Sequence, residues 1–289
     1  MITGIVFSKD RAMQLRLLLE SLELNFPQLE GTDVLYDCSD DSFLEGYKKL
    51  QSEYPSVKFF KQSENFYEDI QNILFESKDY ICFFTDDDLV YQKIPKSIEN
   101  LPYIFKVPVS CFSLRIGYNT VLRECDGEIF QDNLPPQGEI RYLFDDIIAW
   151  NRTLIPVGGY WSYPLSVDGH IFRKSEISSF LDEIICWNKS SCCNKISNTP
   201  NSFESILQRF YFETPPLMVS FTDSVVVNSP NNRVQNDFEN AAGEKFSLSQ
   251  NYLNQKYLDG YVIDIKNINL SNIKCPHQEL DLSIKKYEE

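Results

Sequence analysis

The stretch YICFFTDDDLVY, residues 80–91, joins an apolar run directly to three consecutive aspartates. Residues 80–84 have the continuous apolar character of a buried strand. The carboxylates of Asp86, Asp87 and Asp88 repel one another, so a segment that needed only a polar turn would rarely carry all three. The motif therefore predicts that a positive charge is held at the end of a buried strand.

Upstream of this stretch, apolar runs alternate with segments of helical periodicity. The predicted strands are ITGIVFS (residues 2–8), TDVLYD (32–37), VKFFKQ (57–62) and DYICFF (79–84), and the predicted helices are residues 12–26, 43–54 and 65–78. Such alternation is typical of βαβ units, which form a mainly parallel sheet with helices on both faces. The predicted fold class is therefore α/β, with a Rossmann-like central sheet.

Polar clusters follow three of these predicted strands. They are SKDR (residues 8–11), DCSDD (37–41) and TDDD (85–88). In open parallel sheets, ligands bind beyond the carboxyl ends of the strands. We expect the three clusters to meet in one crevice.

The triple aspartate suits a divalent cation. In an extended segment side chains alternate, so Asp86 and Asp88 should project to one side and Asp87 to the other. Paired carboxylates bind Mg²⁺ or Mn²⁺, which keep coordination positions open for the oxygens of a diphosphate. The sequence contains neither GxxxxGK nor GxGxxG, the two common glycine-rich phosphate motifs.

Composition excludes several classes of protein. A net charge of −15 over 289 residues argues against a nucleic-acid-binding protein, which would carry a basic face. Eight cysteines without a CxxC spacing are interpreted as reduced and structural. The N-terminus lacks the features of a signal peptide, and no apolar run is long enough to cross a membrane. We therefore expect a cytoplasmic protein without an integral membrane segment.

Beyond the triple aspartate the pattern is less regular. Residues 109–117 and 147–151 predict strands, residues 118–160 are otherwise loop-rich, and residues 199–212 predict a helix with Ser202 as its cap. Residues 217–230 contain at least one further predicted strand, and the tail from about residue 246 is polar.

Together, the segments GIVFSKDRAMQLRLLLESL, DVLYDCSDD and CFFTDDDL resemble the nucleotide-sugar-binding half of GT-A-fold glycosyltransferases, with a family-2-like arrangement. The resemblance covers residues 1–90 well and continues less specifically to about residue 235. It implies a nucleotide-sugar-binding half (1–110), an acceptor-binding half of the same domain (111–245) and a C-terminal extension (246–289). It also implies a UDP- or GDP-type sugar donor.

The resemblance assigns roles to the strand ends. Ser8, Asp10 and Arg11 would contact the nucleobase and diphosphate. Asp37 would hold the base or ribose, with Asp40 and Asp41 as alternatives for this role.

Within the aspartate motif, Asp86 would face the ribose or a metal-bound water, and Asp88 would bind the metal directly. The resemblance also implies that Asp87 contacts the nucleotide-sugar donor.

In the second half, the resemblance implies a carboxylate base for the acceptor hydroxyl. Glu204 in PNSFESIL occupies the corresponding place, and Asp168 in SVDGHIF is its rival. A position near a helix N-terminus would lower the pKa of Glu204, although the residue could instead only stabilise that turn. His170 is a candidate late metal ligand or phosphate contact, and packing in the core is its alternative.

Two arginines could close over the leaving diphosphate, namely Arg115 and Arg233. Tyr160, Trp161 and Tyr163 offer faces for stacking on a sugar ring, or they belong to the core.

The sequence thus predicts a metal-dependent glycosyltransferase that moves a sugar to a hydroxyl of a glycan or another acceptor, for example in polysaccharide biosynthesis. An inverting reaction is favoured over a retaining one. The alternatives are a sugar nucleotidyltransferase and a non-catalytic carbohydrate-binding protein derived from a transferase.

Overall fold

The predicted α/β fold class is confirmed. The computed structural model describes residues 1–125, 128–190, 197–234, 242–243, 245–246 and 248–287. Its largest sheet has nine strands, drawn from both predicted halves of the chain. Helices cover both faces of this sheet.

The helices and strands follow in chain order. The N-terminal part contains β1 (Ile2–Lys9), α1 (Ala12–Asn25), β2 (Leu29–Asp37), α2 (Asp41–Glu53), β3 (Lys58–Lys61), α3 (Phe66–Glu76), β4 (Tyr80–Thr85), β5 (Asp88–Val90) and α4 (Leu101–Ile104). The central part contains β6 (Val109–Ser113), β7 (Leu122–Cys125), β8 (Glu128–Gln131), β9 (Arg141–Phe144), β10 (Ile147–Asn151), β11 (His170–Arg173), α5 (Lys174–Ser190), α6 (Pro200–Leu207), β12 (Leu217–Phe221) and β13 (Val226–Asn228). The C-terminal part contains α7 (Gln250–Leu258), β14 (Tyr261–Ile263) and β15 (Ile284–Lys286). Short 3₁₀ segments occur at Lys96–Asn100, Arg152–Leu154, Tyr160–Ser162, Gln208–Phe210 and Ile265–Asn267.

The strand order of the large sheet is β3-β2-β1-β4-β11-β6-β12-β10-β9. The first four strands are parallel, as predicted. β11 runs antiparallel to both of its neighbours, and β10 does the same. All other strands of this sheet share one direction, so their carboxyl ends lie at one edge.

Alternation along the central strands divides the core in two. Val6 of β1 and Phe84 of β4 pack on the face covered by α1, α2 and α7. Ile5 and Phe83, their neighbours in sequence, pack on the opposite face with α3, α5 and α6. Burial on both faces explains the unbroken apolar runs in β1 and β4.

Three features differ from the sequence-based predictions. Residues 118–160 contain the short strands β7, β8 and β9 in addition to the predicted β10. The cap of α6 is Thr199, whose hydroxyl accepts the Ser202 N–H, so the prediction of Ser202 as the cap was wrong. The polar tail forms α7, which packs against α2.

α2 and α7 approach each other closely at Gly46, where a larger side chain would meet a neighbouring atom. A Cβ at Gly46 would lie 2.3 Å from Oδ1 of Asn254 in α7. The C-terminal extension is thus packed against the N-terminal half. Among the residues that the structure describes, none of the helices combines the length and apolar character needed to cross a membrane.

Candidate active site

The three polar strand ends meet at one edge of the sheet, as predicted. Asp10, just after β1, accepts hydrogen bonds from the Ser39 N–H (2.7 Å) and the Ser39 hydroxyl (2.6 Å) beyond β2. Lys9 forms an ion pair of 2.9 Å with Asp37. Asp10 has a φ of 56°, a left-handed conformation that short polar side chains tolerate better than most and that turns the chain from β1 into α1.

The positive charge next to the aspartate motif is Arg11. One of its terminal nitrogens, Nη1, lies 2.8 Å from Oδ1 of Asp86 and 2.8 Å from Oδ2 of Asp87. Burial acts to lower the pKa of Arg11, but the carboxylates of Asp87 and Asp86 raise it above its ordinary value. Arg11 therefore stays charged although it is buried.

Asn232 fixes the guanidinium in this position. Its Oδ1 accepts from Nε of Arg11 at 2.7 Å, and its backbone carbonyl accepts from Nη2. Its amide nitrogen donates to Gln14 and to the carbonyl of Leu248. A guanidinium with a partner at each nitrogen is held rigidly, which suits a permanent part of the site.

The expected alternation of the aspartates is not observed, because residues 86 and 87 form a turn. Asp86 and Asp87, rather than Asp86 and Asp88, share a partner in Arg11. Asp88 instead accepts the N–H of Thr85 (2.9 Å) and the amide of Asn228 (3.1 Å). Burial, followed by the charge of Asp168, raises the pKa of Asp88 well above its ordinary value.

The three carboxylates differ in their capacity for a further ligand. Asp86 already accepts from the Ser8 hydroxyl, the Lys9 N–H and Arg11, and its side chain is 3% exposed. Burial raises the pKa of Asp86 to about 6, against the opposing effect of Arg11. Asp88 is 1% exposed, whereas 11% of the Asp87 side chain is exposed. Asp87 is thus the most accessible ligand in the motif.

The donor set around Asp87 suits a cation that is shared with a ligand. Within the described residues, no three His, Cys, Asp or Glu side chains are grouped as an all-protein metal site requires. Mg²⁺ typically needs only one or two carboxylates when phosphate oxygens complete its shell. Asp87 is the carboxylate of the motif that could supply such a ligand, and a bound cation would compete with the hydrogen bonds that it accepts from Arg11, Thr85 and Asn228.

A second polar group lies beside the motif, centred on Asp168. Its Oδ1 is 3.0 Å from the hydroxyl of Thr85, which also donates to Asp87 at 2.8 Å. Its Oδ2 accepts from Arg115 at 3.0 Å and lies 3.1 Å from Nε2 of His277. Burial acts to raise the pKa of Asp168, but His277 and Arg115 hold it well below its ordinary range.

Glu204 belongs to the same group of charges. Its Oε1 accepts the N–H of Val167 at 3.3 Å, and Asp168 and Arg115 are its main charged neighbours. Burial and the charge of Asp168 raise its pKa to about 7. The expected lowering by the helix dipole is absent, because Glu204 lies beyond the first turn of α6, which begins at Pro200.

Two predicted ligand contacts lie elsewhere. His170 is fully buried in β11, with Nδ1 against the carbonyl of Pro164, and burial lowers its pKa to about 3. It is a neutral core residue, in place of the predicted metal ligand or phosphate contact. Arg233 is exposed, and none of the ion pairs among the described residues involves it.

The aromatic cluster divides between the core and the site. Trp161 is buried and donates from its indole N–H to the carbonyl of Thr120. Tyr160 is partly exposed, with its ring 5.4 Å from the guanidinium carbon of Arg115. Tyr163 is partly exposed as well, near the charge of Glu204.

Sequence reasoning missed four contributors, namely Thr85, Asn228, Asn232 and His277. The amide of Asn228 contacts Thr85, Asp87 and Asp88 at 2.9–3.1 Å. The run NSPNN at residues 228–232 was a possible signal, since consecutive amides often serve as donors near acids. His277 had no such signal, because it lies in a polar tail far from the motif in sequence.

Comparison with known proteins identifies a related enzyme. The chain is 26% identical to the bifunctional glycosyltransferase pgtA of Dictyostelium discoideum, over 97% of this chain and 37% of that protein. The chain thus spans little more than a third of the length of this relative. The resemblance to glycosyltransferases is confirmed by this relative. No family model matches the sequence.

Two solved structures show partial similarity to this fold. One is S. aureus TarS 1–349, with a TM-score of 0.45 and 15% identity over 80% of this chain and 61% of that chain. The other is 4-diphosphocytidyl-2C-methyl-D-erythritol synthase from Anaerococcus prevotii, with a TM-score of 0.42 and 11% identity over 89% and 96% of the two chains. Similarity at this level does not assign the chain to either activity.

Proposed function

We propose that the chain is a glycosyltransferase that moves a sugar from a nucleoside-diphosphate sugar to an acceptor hydroxyl, with inversion at the anomeric carbon. The observation that carries this proposal is the continuous set of hydrogen bonds and charge contacts that joins Arg11, the aspartate motif, Asp168 and Glu204. Relatedness to a glycosyltransferase supports it.

The donor would bind at the ends of β1, β2 and β4. Asp10 and Asp37 would contact the nucleobase and ribose, while Arg11 and Arg115 offset the charges of Asp86, Asp87 and Asp168 within a very acidic protein. Such an offset is needed because the protein's overall field repels a diphosphate. We assign UDP or GDP as the nucleotide.

A divalent cation fits the donor side through Asp87, the most accessible carboxylate of the motif. Bound Mg²⁺ or Mn²⁺ would act as a Lewis acid on the departing diphosphate. Asp86 and Asp88, which the sequence favoured as the metal pair, would then support the turn. Asp86 orients Arg11, and Asp88 closes the turn through the N–H of Thr85.

Glu204 is the better of the two candidate bases. Asp168 accepts from Arg115, has Thr85 and His277 within hydrogen-bond distance, and has a lowered pKa, so it is a weak proton acceptor. Glu204 has a pKa of about 7, accepts the Val167 N–H at 3.3 Å and has a hydrogen bond with the side chain of Ser166. General bases work best when their pKa lies near the operating pH.

The reaction then proceeds in one displacement. The acceptor oxygen forms a bond to the anomeric carbon as the bond from that carbon to the diphosphate oxygen breaks. The acceptor proton passes to Glu204, and the nucleoside diphosphate leaves. Tyr160 and Tyr163 flank this position and offer partly exposed rings for the acceptor sugar.

Hydrolysis and transfer assays with UDP- and GDP-sugars test the proposal. With Mn²⁺ present, we expect slow release of the nucleoside diphosphate, faster release with a glycan acceptor, and loss of the acceptor-dependent rate in Glu204→Gln. Glu213→Gln is the matched control, since Glu213 is exposed near the end of the same segment. A carbohydrate-binding protein would release nothing, and a nucleotidyltransferase would instead form pyrophosphate from a nucleoside triphosphate and a sugar phosphate.

A further inference from the structure

The C-terminal extension brings a histidine into the candidate site. Nε2 of His277 lies 3.1 Å from Oδ2 of Asp168 and 2.8 Å from Nη1 of Arg115. The side chain is 36% exposed, whereas Arg115 and Asp168 are 2% and 10% exposed. The ring of His277 therefore covers the Asp168–Arg115 ion pair from the solvent side.

Backbone contacts fix the position of this ring. Residues 228 and 277 form a parallel bridge, in which the N–H of Asn228 donates to the carbonyl of Pro276 at 2.9 Å. The N–H of Gln278 donates in return to the carbonyl of Asn228 at 2.9 Å. The tail is thereby attached to the residue whose amide also contacts the aspartate motif.

The hydrogen bonding at Nε2 must be one of two kinds. A protonated Nε2 can donate to Asp168 but cannot accept from Arg115. A bare Nε2 can accept from Arg115 but then faces the carboxylate of Asp168 lone pair to lone pair. Arg115 already donates to Asp168 at 3.0 Å. Asp168 can accept from both Arg115 and His277 only when Nε2 of His277 carries the hydrogen.

We propose that His277 is a positioning residue, which donates from Nε2 to Asp168 and holds it beside Glu204 for the transfer reaction. This inference rests on the proposed function for its kinetic consequence, but its structural part stands separately. The C-terminal extension is then a required part of the site, although its sequence bears no motif.

A direct test observes the imidazole nitrogens by NMR. The chain contains only two histidines, so two sets of signals are expected. Nε2 of His277 is within hydrogen-bond distance of Asp168, whereas the hydrogen-bond contact of His170 is from Nδ1 to the carbonyl of Pro164, so Asp168→Asn should shift the Nε2 signal of His277 more than that of His170. A protonated Nε2 in the wild type supports the proposal. A bare Nε2, or a signal that does not respond to Asp168→Asn, overturns it.

Kinetics test the consequence. His277→Ala should lower kcat/KM by about tenfold to a hundredfold, since a buried carboxylate loses one of its donors. His277→Gln keeps an N–H donor at the end of the side chain and should recover most of that loss. Lys274→Ala is the control, because Lys274 is an exposed residue of the same tail.

The outcomes separate the two proposals. A wild-type protein without any transfer or hydrolysis would overturn the proposed function, while the NMR result would still decide the role of Nε2. An active wild type in which His277→Ala is as active as Lys274→Ala would overturn the positioning role alone. Equal loss in His277→Ala and His277→Gln would also overturn it, because the N–H donor would then be irrelevant.

Discussion

Removal of the Arg11 guanidinium tests the central electrostatic feature of the site. Arg11→Met replaces the arginine with an unbranched apolar side chain. Asp86 and Asp87 then lose the cation that lies 2.8 Å from each. Breaking a buried ion pair by removing one partner typically costs about 3–5 kcal/mol of folding free energy. Total stabilities are about 5–15 kcal/mol, so the variant should be much less stable than the wild type at neutral pH.

The loss should depend on pH in a defined direction. Asp86 has an ordinary pKa of 3.8, which is raised to about 6 in the folded protein. A raised carboxyl pKa means that the folded state binds the proton more tightly, so the wild type gains stability from Asp86 as the pH falls through about 6. Without Arg11 the pKa of Asp86 should rise further. The difference in unfolding free energy between wild type and variant should therefore shrink as the pH is lowered from 7.5 to 5.5.

Urea unfolding followed by tryptophan fluorescence measures this difference, with EDTA present so that no divalent cation contributes. Arg233→Met is the matched control, because Arg233 is exposed and should leave the free energy of unfolding nearly unchanged. A deficit below about 1 kcal/mol would refute the idea that Arg11 neutralises a buried acid pair. A deficit that is the same at both pH values would refute the link to Asp86.

Three further predictions follow from the same geometry. The acceptor-dependent kcat/KM should rise with pH through about 7, where Glu204 loses its proton, and any residual rate of Glu204→Gln should show no such rise. Asp87→Asn should remove the Mn²⁺-dependent part of the thermal shift caused by UDP, whereas Asp40→Asn, which preserves the cap of α2, should retain it. Gly117→Ala should cost about 1–3 kcal/mol in urea unfolding, since its Cβ would lie 2.4 Å from a backbone nitrogen, while Gly31→Ala, with nothing within 4 Å, should cost nothing.

The sheet was largely predictable because its central strands are buried on both faces. Continuous apolar runs identified β1 and β4, and the helical periodicity between strands identified α1, α2 and α3. The short strands β7, β8 and β9 were not identified. β8 and β9 are exposed on both faces, so they lack the alternation of apolar and polar residues that marks a half-buried strand.

The site was predictable only where it follows strand ends. Asp10, Arg11 and Asp86 could be placed together because parallel strands end at the same edge. Asn232 lies 221 positions from Arg11 in the sequence. His277 reaches Asp168 only because the C-terminal tail folds back onto the site. Such contacts between distant segments leave no periodic pattern in the sequence.

The pKa of Glu204 shows a second kind of limit. Its place in the sequence indicated a helix N-terminus and hence a lowered pKa. In the structure it lies one turn further along α6, where burial and the charge of Asp168 act in the opposite direction. A local dipole effect of about 0.3–1 kcal/mol is smaller than the cost of placing one buried carboxylate near another.

The three adjacent aspartates lie in different environments, which explains how three carboxylates can follow one another in the chain. Arg11 neutralises Asp86 and reaches Asp87, while the buried Asp88 has a strongly raised pKa that favours its protonated form. Asp87 is the most exposed of the three and also accepts from Arg11 and Asn228. Under the proposed function, the motif would supply one ligand position supported by two structural acids, and its spacing alone could not indicate which of the three is accessible.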